Sequence, residues 1–148
     1  MRARVVSEAM TADCVFCAIA SKKTEVAIVF EDERTLAFLD RAPLFFGHTL
    51  LIPKIHVVTL WDLPEDEVGA FFVCAQRLSR AVERAMSADG IFVAINNKVS
   101  QSVPHLHLHI VPRKKKDGLR GFFWPRQKYE REEKLLEVQR AIVSKLEA

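Results

Sequence analysis

Three histidines, His105, His107 and His109, alternate with Leu106, Leu108 and Ile110 in the segment QSVPHLHLHIVPR, residues 101–113. Successive side chains of a strand point to opposite faces, so the histidines share one face and the aliphatics the other. Neighbouring histidines would stand about 6.6 Å apart, from a rise of ~3.3 Å per residue. That separation suits a metal ligand beside a nucleophile, or a nucleophile beside a proton donor, and imidazole can serve in either role near pH 7. A half-buried strand whose polar face merely carries histidine is the plainer alternative, but three of the chain's five histidines in strict alternation argue against it. Cys14-x-x-Cys17 is the second candidate constellation. It fits a pair of metal ligands, two small buried apolar side chains, or a redox pair, although the thioredoxin-type Trp-Cys-Gly-Pro-Cys context is absent.

Strands and helices must position these groups. VAIVFED from Val26, TLAFLD from Thr35 and HTLLIPK from His48 are rich in β-branched and aromatic residues and predict three strands. A turn at Glu31–Arg34 joins the first two, and a loop from Arg41 to Gly47 precedes the third. The spacing of Val68, Phe71, Phe72, Ala75, Leu78, Val82 and Met86 predicts one apolar face on a helix from Asp62 to about Ala88. Asp62 and Glu65 have capping-box spacing, Pro64 sits in the first turn, and Asp89-Gly90 provides the stop. IFVAINN and a segment from His105 to about Val111 predict two more strands. A charged helix follows at roughly Tyr129–Leu146, with Leu135, Ala141, Ile142 and Leu146 on one docking face. Residues 1–13 read as a loose lead-in, and residues 113–148 as a basic and aromatic loop followed by that helix. The whole predicts one α+β domain, 1–148, with a five-stranded antiparallel sheet, one long central helix and a C-terminal helix.

Composition narrows the function classes. The chain has 148 residues, 49% hydrophobic and 28% charged, which is typical of a globular domain with a real core. Its 22 Lys+Arg against 19 Asp+Glu give a formal charge of +3, too small to indicate nucleic-acid binding. No apolar run reaches the ~20 residues that span a bilayer, and the basic N-terminus lacks a secretory apolar stretch. Three cysteines are too few for a disulfide scaffold, so a reducing, cytoplasmic setting is expected.

HLHLHIV resembles the histidine triad signature of the HIT superfamily of nucleotide hydrolases and transferases, its Hint-like bacterial branch in particular. CVFCAI, AFLDRAP and GHTLLIPKIH resemble further motifs of that family and occur in its order, so the resemblance covers roughly residues 14–113. It implies a homodimeric hydrolase that cleaves at the α-phosphorus of purine nucleoside phosphoramidates, adenylylated compounds or dinucleoside polyphosphates. A nucleotidyl-histidine intermediate forms and a nucleoside monophosphate is released.

Residue by residue, the resemblance makes His107 the nucleophile, with His109 and His48 binding the α-phosphate and assisting proton transfer. Asp40 matches the ribose-binding carboxylate, and Phe16, Ile19 and Leu50 match the base pocket. Asn96, Gln101 and Ser102 match positions around the phosphates. Cys14, Cys17, His56 and His105 match a structural zinc set found in some members. Read without the family, Asp40 is equally a turn cap before Pro43, Ser102 a turn residue, and Phe16, Ile19 and Leu50 core. Cys74 reads as core either way.

The segment Asn96-Asn97-Lys98-Val99-Ser100-Gln101 is shorter than the usual loop and lacks its glycines, which normally let a phosphate approach the backbone. The basic run Arg113–Lys116 with Arg120 fits a solvated surface or a guide for anionic leaving groups. Gly121–Arg126, with Trp124, fits a dimer contact or a leaving-group pocket. The competing functions are a nucleotidyl transferase and a nucleotide-sensing or scaffolding module with incidental turnover. A purely structural zinc protein has no need of the AFLD and GHTLLIPKIH motifs.

Overall fold

The computed structural model describes residues 12–119 and 127–146, so residues 1–11 of the lead-in, Arg120 and the Gly121–Arg126 loop with Trp124 lie outside the described residues. In chain order the elements are α1 (Val15–Ala20), β1 (Ile28–Glu31), β2 (Thr35–Leu39), β3 (Thr49–Pro53), a 3-10 turn (Leu60–Asp62), α2 (Glu65–Ala85), β4 (Gly90–Ile95), β5 (Leu108–Arg113) and α3 (Glu132–Val143). The five strands form one antiparallel sheet in the order β1-β2-β3-β5-β4. Two compact units result, the first ending at Asp117 and the second beginning at Gly118.

Alternation along the strands sorts the first unit's core into two layers. Ala37, Leu51, Leu106, Leu108 and Ile110 pack with Phe71, Cys74, Ala75, Leu78 and Val82 of α2. Leu36, Phe38, Leu50 and Ile52 turn the other way and pack with Cys14, Phe16 and Ile19 of the N-terminal segment. The histidines of residues 105–109 alternate with the residues of the first layer, so they belong to the face that α1 covers. Among its described residues the second unit contains the helix α3, and Leu135, Ile142 and the neighbouring Leu146 are exposed.

The boundaries of three predicted elements are corrected. The long helix starts at Glu65, not Asp62, with Pro64 at its N-cap. Asp62 caps the preceding 3-10 turn instead, its Oδ2 accepting from Thr59 N at 3.0 Å and Thr59 Oγ1 at 2.7 Å. The helix ends at Ala85, and Phe72, predicted for its apolar face, is 40% exposed. The last strand begins at Leu108, because Leu106 N donates to Val57 O at 2.7 Å outside the ladder. The C-terminal helix is three residues shorter at each end than predicted.

α1 was not foreseen as a helix. It is only six residues long, shorter than propensity alone can hold, and its ends are held by specific contacts. Cys14 Sγ accepts from Cys17 N at 3.4 Å at the N-cap. At the other end Lys22 takes a left-handed φ of 64°, while Lys23 N reaches back to Ala18 O at 2.8 Å.

Candidate active site and metal centre

Two side-chain clusters meet along the histidine segment. The first contains His48, His107 and His109. Gly47, with φ of 95°, turns the chain into β3 and so delivers His48; a Cβ there would stand 2.6 Å from Met86 Cγ. Leu50 of β3 and Ala94 of β4 flank His109 in the sheet register.

The proton positions in this cluster follow from its backbone partners, since a carbonyl only accepts and an amide N–H only donates. His107 Nδ1 lies 2.7 Å from His105 O, so Nδ1 carries the proton and Nε2 holds a lone pair. Leu44 N donates to His48 Nδ1 at 3.1 Å, which puts the proton of neutral His48 on Nε2. His48 Nε2 lies 2.9 Å from His109 Nδ1 and donates to it, leaving His109 with its proton on Nε2. No buried side-chain nitrogen or oxygen among the described residues lacks a partner. His107 Nε2 and His109 Nε2 have no hydrogen-bond partner there, so both atoms are open. The rings that carry this lone pair and this N–H have their centroids 4.9 Å apart.

Burial disfavours the charged form of two of these rings, His109 and His48. Burial pushes the His109 pKa down to about 4, helped by His107 and His48 and opposed by Asp40. Burial also lowers His48, again against Asp40. Asp40 is at once a turn cap and a neighbour of the site. Its Oδ1 accepts from Ala42 N at 2.9 Å, and its Oδ2 lies 3.8 Å from His48 Nδ1.

The second cluster is Cys14, Cys17, His56 and His105, whose ligand atoms all lie within 4.8 Å of one another. His105 Nδ1 stands 3.4 Å from Cys14 Sγ and 3.6 Å from Cys17 Sγ, and His56 Nδ1 stands 3.2 Å from Cys17 Sγ. A tetrahedral ion with metal–sulfur bonds of ~2.3 Å and metal–nitrogen bonds of ~2.1 Å requires sulfur-to-nitrogen separations of about 3.6 Å. The donors are therefore already spaced for such an ion. His105 Nε2 donates to Pro53 O at 2.8 Å, which directs the Nδ1 lone pair into the cluster. Without metal, burial and the neighbouring Cys14 push the Cys17 thiol up to about 12, and burial pushes His105 down to about 4.

Phe16 joins the two clusters. Its ring meets His105 edge-on at 5.8 Å and His107 at 5.1 Å, and it packs on Phe38 at 5.6 Å. Phe16, Ile19 and Leu50 come together, buried, in one apolar group. The remaining predicted residues stand farther out. Ser102 is exposed and, with Asp13, Cys14 and His56, lines a cavity of about 430 Å³. Among the described residues neither Ser102 nor Asn96 hydrogen-bonds to a triad histidine. The Gln101 amide is spent on the loop itself, donating to Val58 O at 2.6 Å and accepting from Lys98 N at 2.9 Å. Arg113 of the basic run pairs with Asp117. Leu44 N and Pro53 O, which set two histidine tautomers, carried no sequence signal because backbone atoms act there.

A sheet of this order with a histidine cluster of this form defines a class, and the HIT domain family matches residues 21–116. The chain belongs to the HIT family. It is 36% identical over 118 residues to adenylylsulfatase HINT3 of Arabidopsis thaliana, a match covering 78% of this chain and 60% of that longer protein. A HIT family protein from Bacillus subtilis superposes with a TM-score of 0.83 at 32% identity, over 92% of this chain and 99% of that one. A Zn-bound histidine triad protein from Mycobacterium smegmatis gives 0.69 at 39% identity, over 93% and 99%. Among the described residues no helix is long and apolar enough to cross a membrane.

Proposed function

We propose that this protein is a cytoplasmic, homodimeric nucleotide hydrolase acting at the α-phosphorus of adenylylated or related purine nucleotide conjugates. The observation that carries the reading is the open lone pair of His107 Nε2 beside the open N–H of His109, both tautomers being set by fixed partners. In the first step His107 Nε2 bonds to the α-phosphorus while the bond from phosphorus to the leaving group breaks, its electron pair departing with that group. His109 Nε2–H stabilises charge on the phosphate oxygens, or gives its proton to an amine leaving group. Water then attacks phosphorus, the nitrogen–phosphorus bond breaks, and a nucleoside monophosphate leaves. His48 is a positioning residue that holds His109 in the donating tautomer.

In this reading Asp40 receives the ribose hydroxyls, and the apolar group of Phe16, Ile19 and Leu50 receives the base. Asn96, Gln101 and Ser102 form the loop side of the phosphate site. Cys14, Cys17, His56 and His105 would hold zinc, which supplies a structural tie between α1 and the histidine segment and takes no part in the chemistry. The kinship to an adenylylsulfatase makes adenosine 5′-phosphosulfate a substrate to test beside phosphoramidates and dinucleoside polyphosphates. Rapid quench of wild type with an adenosine phosphoramidate, followed by intact-mass analysis, should show one adenylyl group on the protein, absent from His107→Ala. Nucleoside monophosphate binding without adduct or turnover would favour a binding module instead.

A further inference from the structure

Residues 105–107 carry the candidate nucleophile without support from the sheet. The pairing of β5 with β3 and with β4 reaches no further than Leu108, so the backbone that orients His107 is held by other partners. His105 N donates to Val103 O at 2.8 Å and its ring donates to Pro53 O. Leu106, fully buried between His105 and His107, donates its N–H to Val57 O at 2.7 Å. Val57 itself lies in no helix or strand, so this last bond is only as firm as the segment around Val57.

Two side-chain amides from the loop after β4 grip that segment. Gln101 Nε2 donates to Val58 O at 2.6 Å, and Asn97 Oδ1 accepts from Leu60 N at 2.8 Å. Gln101 Oε1 accepts from Lys98 N at 2.9 Å and closes the loop on itself. Lys98 (φ 71°) and Ser100 (φ 58°) hold left-handed backbone, which is costly for residues other than glycine and persists only where the surroundings impose it. Both polar atoms of the Gln101 amide therefore have main-chain partners.

We infer that Gln101 is a positioning residue for His107. By fixing Val58 it holds the adjoining Val57 carbonyl, and through Leu106 N–H it keeps the His105 carbonyl where His107 Nδ1–H reaches it. The kinetic consequence rests on the hydrolase reading above, and the structural one does not. Releasing Val58 lets the 105–107 backbone drift and lengthens the 2.7 Å bond from His107 Nδ1 to His105 O. The imidazole proton then divides between Nδ1 and Nε2, and a molecule that carries it on Nε2 lacks the lone pair that attacks phosphorus.

The test reads the His107 tautomer and the kinetics side by side. In metal-loaded wild type labelled with ¹⁵N-histidine, at a pH where imidazole is neutral, His107 should show a protonated Nδ1 and a bare Nε2; its signals are those missing from His107→Asn. Gln101→Met keeps the length of the side chain and neither hydrogen bond. Gln101→Glu keeps the acceptor for Lys98 N and so the closed loop, but cannot donate to Val58 O, and it serves where Gln101→Met does not fold. Both variants should show mixed tautomers at His107 and a kcat on an adenosine phosphoramidate lowered about tenfold, with KM little changed. An unchanged tautomer in both variants would overturn the inference. So would a raised KM at constant kcat, the sign of a lost substrate contact. Mixed tautomers in the variants, beside a wild type that cleaves nothing, would uphold the positioning and overturn the hydrolase reading alone.

Discussion

His105 holds two neighbours at once: its carbonyl oxygen accepts from His107 Nδ1 at 2.7 Å, while its own Nδ1 faces the cysteine pair at 3.4 and 3.6 Å. One residue therefore belongs to the metal-ligand cluster through its side chain and orients the candidate nucleophile through its backbone. Phe16, between Cys14 and Cys17 in sequence, packs against both rings. The candidate metal cluster and the candidate nucleophile are mechanically joined.

Metal removal should therefore loosen α1. Chelation is expected to lower the thermal midpoint and to make two thiols, Cys14 and Cys17, accessible to a thiol reagent. Cys74, on α2 and buried against the sheet, should stay protected. Counting reactive thiols before and after chelation checks this, and a count unaffected by chelation would argue against a metal held by this cysteine pair.

Loss of the His48 donor should be felt through His109. In His48→Ala, His109 Nδ1 loses its 2.9 Å partner and the open N–H is no longer fixed on Nε2. The expected result is a fall in kcat of about 10²-fold with KM little changed, in the range of general acid–base contributions. His48→Gln, whose amide can still donate, should recover part of the loss. Steady-state kinetics of the two variants separates a positioning role from general disruption.

The alternation that marks the histidine segment was legible because a period of two survives even where regular pairing does not. Leu106, Leu108 and Ile110 share one face as expected, and the fold shows it to be the α2 side, although residues 105–107 lie outside the ladder. The long helix was legible from Phe71, Ala75, Leu78 and Val82, yet its start was misplaced because Asp62 has two caps within reach and Thr59 takes it. α1 escaped notice because its stability comes from a sulfur N-cap and burial of Phe16 and Ile19, neither of which is a propensity signal. Cys14-x-x-Cys17 alone left its chemistry open. A four-residue candidate metal site emerges only in the fold, where the residues after β3 and the 105–107 segment bring His56 and His105 together with the cysteine pair, all ligand atoms within 4.8 Å of one another.

Phe16 carries both packing and orientation. Phe16→Ala removes a ring buried against Phe38, His105 and His107, and should destabilise the fold by about 3 kcal/mol. Phe16→Leu, nearer in volume, should cost less than half of that. Denaturant unfolding at equal metal loading measures the difference.

Stability should depend on pH in a defined sense. His109, facing His107, His48 and Asp40, is depressed to about 4 in the folded chain, against an ordinary value near 6.5. Between those values the unfolded chain binds the proton and the folded chain does not, so stability is fully present above about pH 6.5 and is lost as pH falls towards 4. His48 shifts in the same direction. A pH series of thermal midpoints should decline over this window, and the decline should be shallower in His109→Asn.

The central claim is that His107 Nε2 is the nucleophile, and release of a fluorescent amine from its adenosine phosphoramidate tests it most directly. Wild type should release the amine, and folded, metal-loaded His107→Ala should lose nearly all of that activity. Release by His107→Ala at a rate near that of wild type would contradict the account.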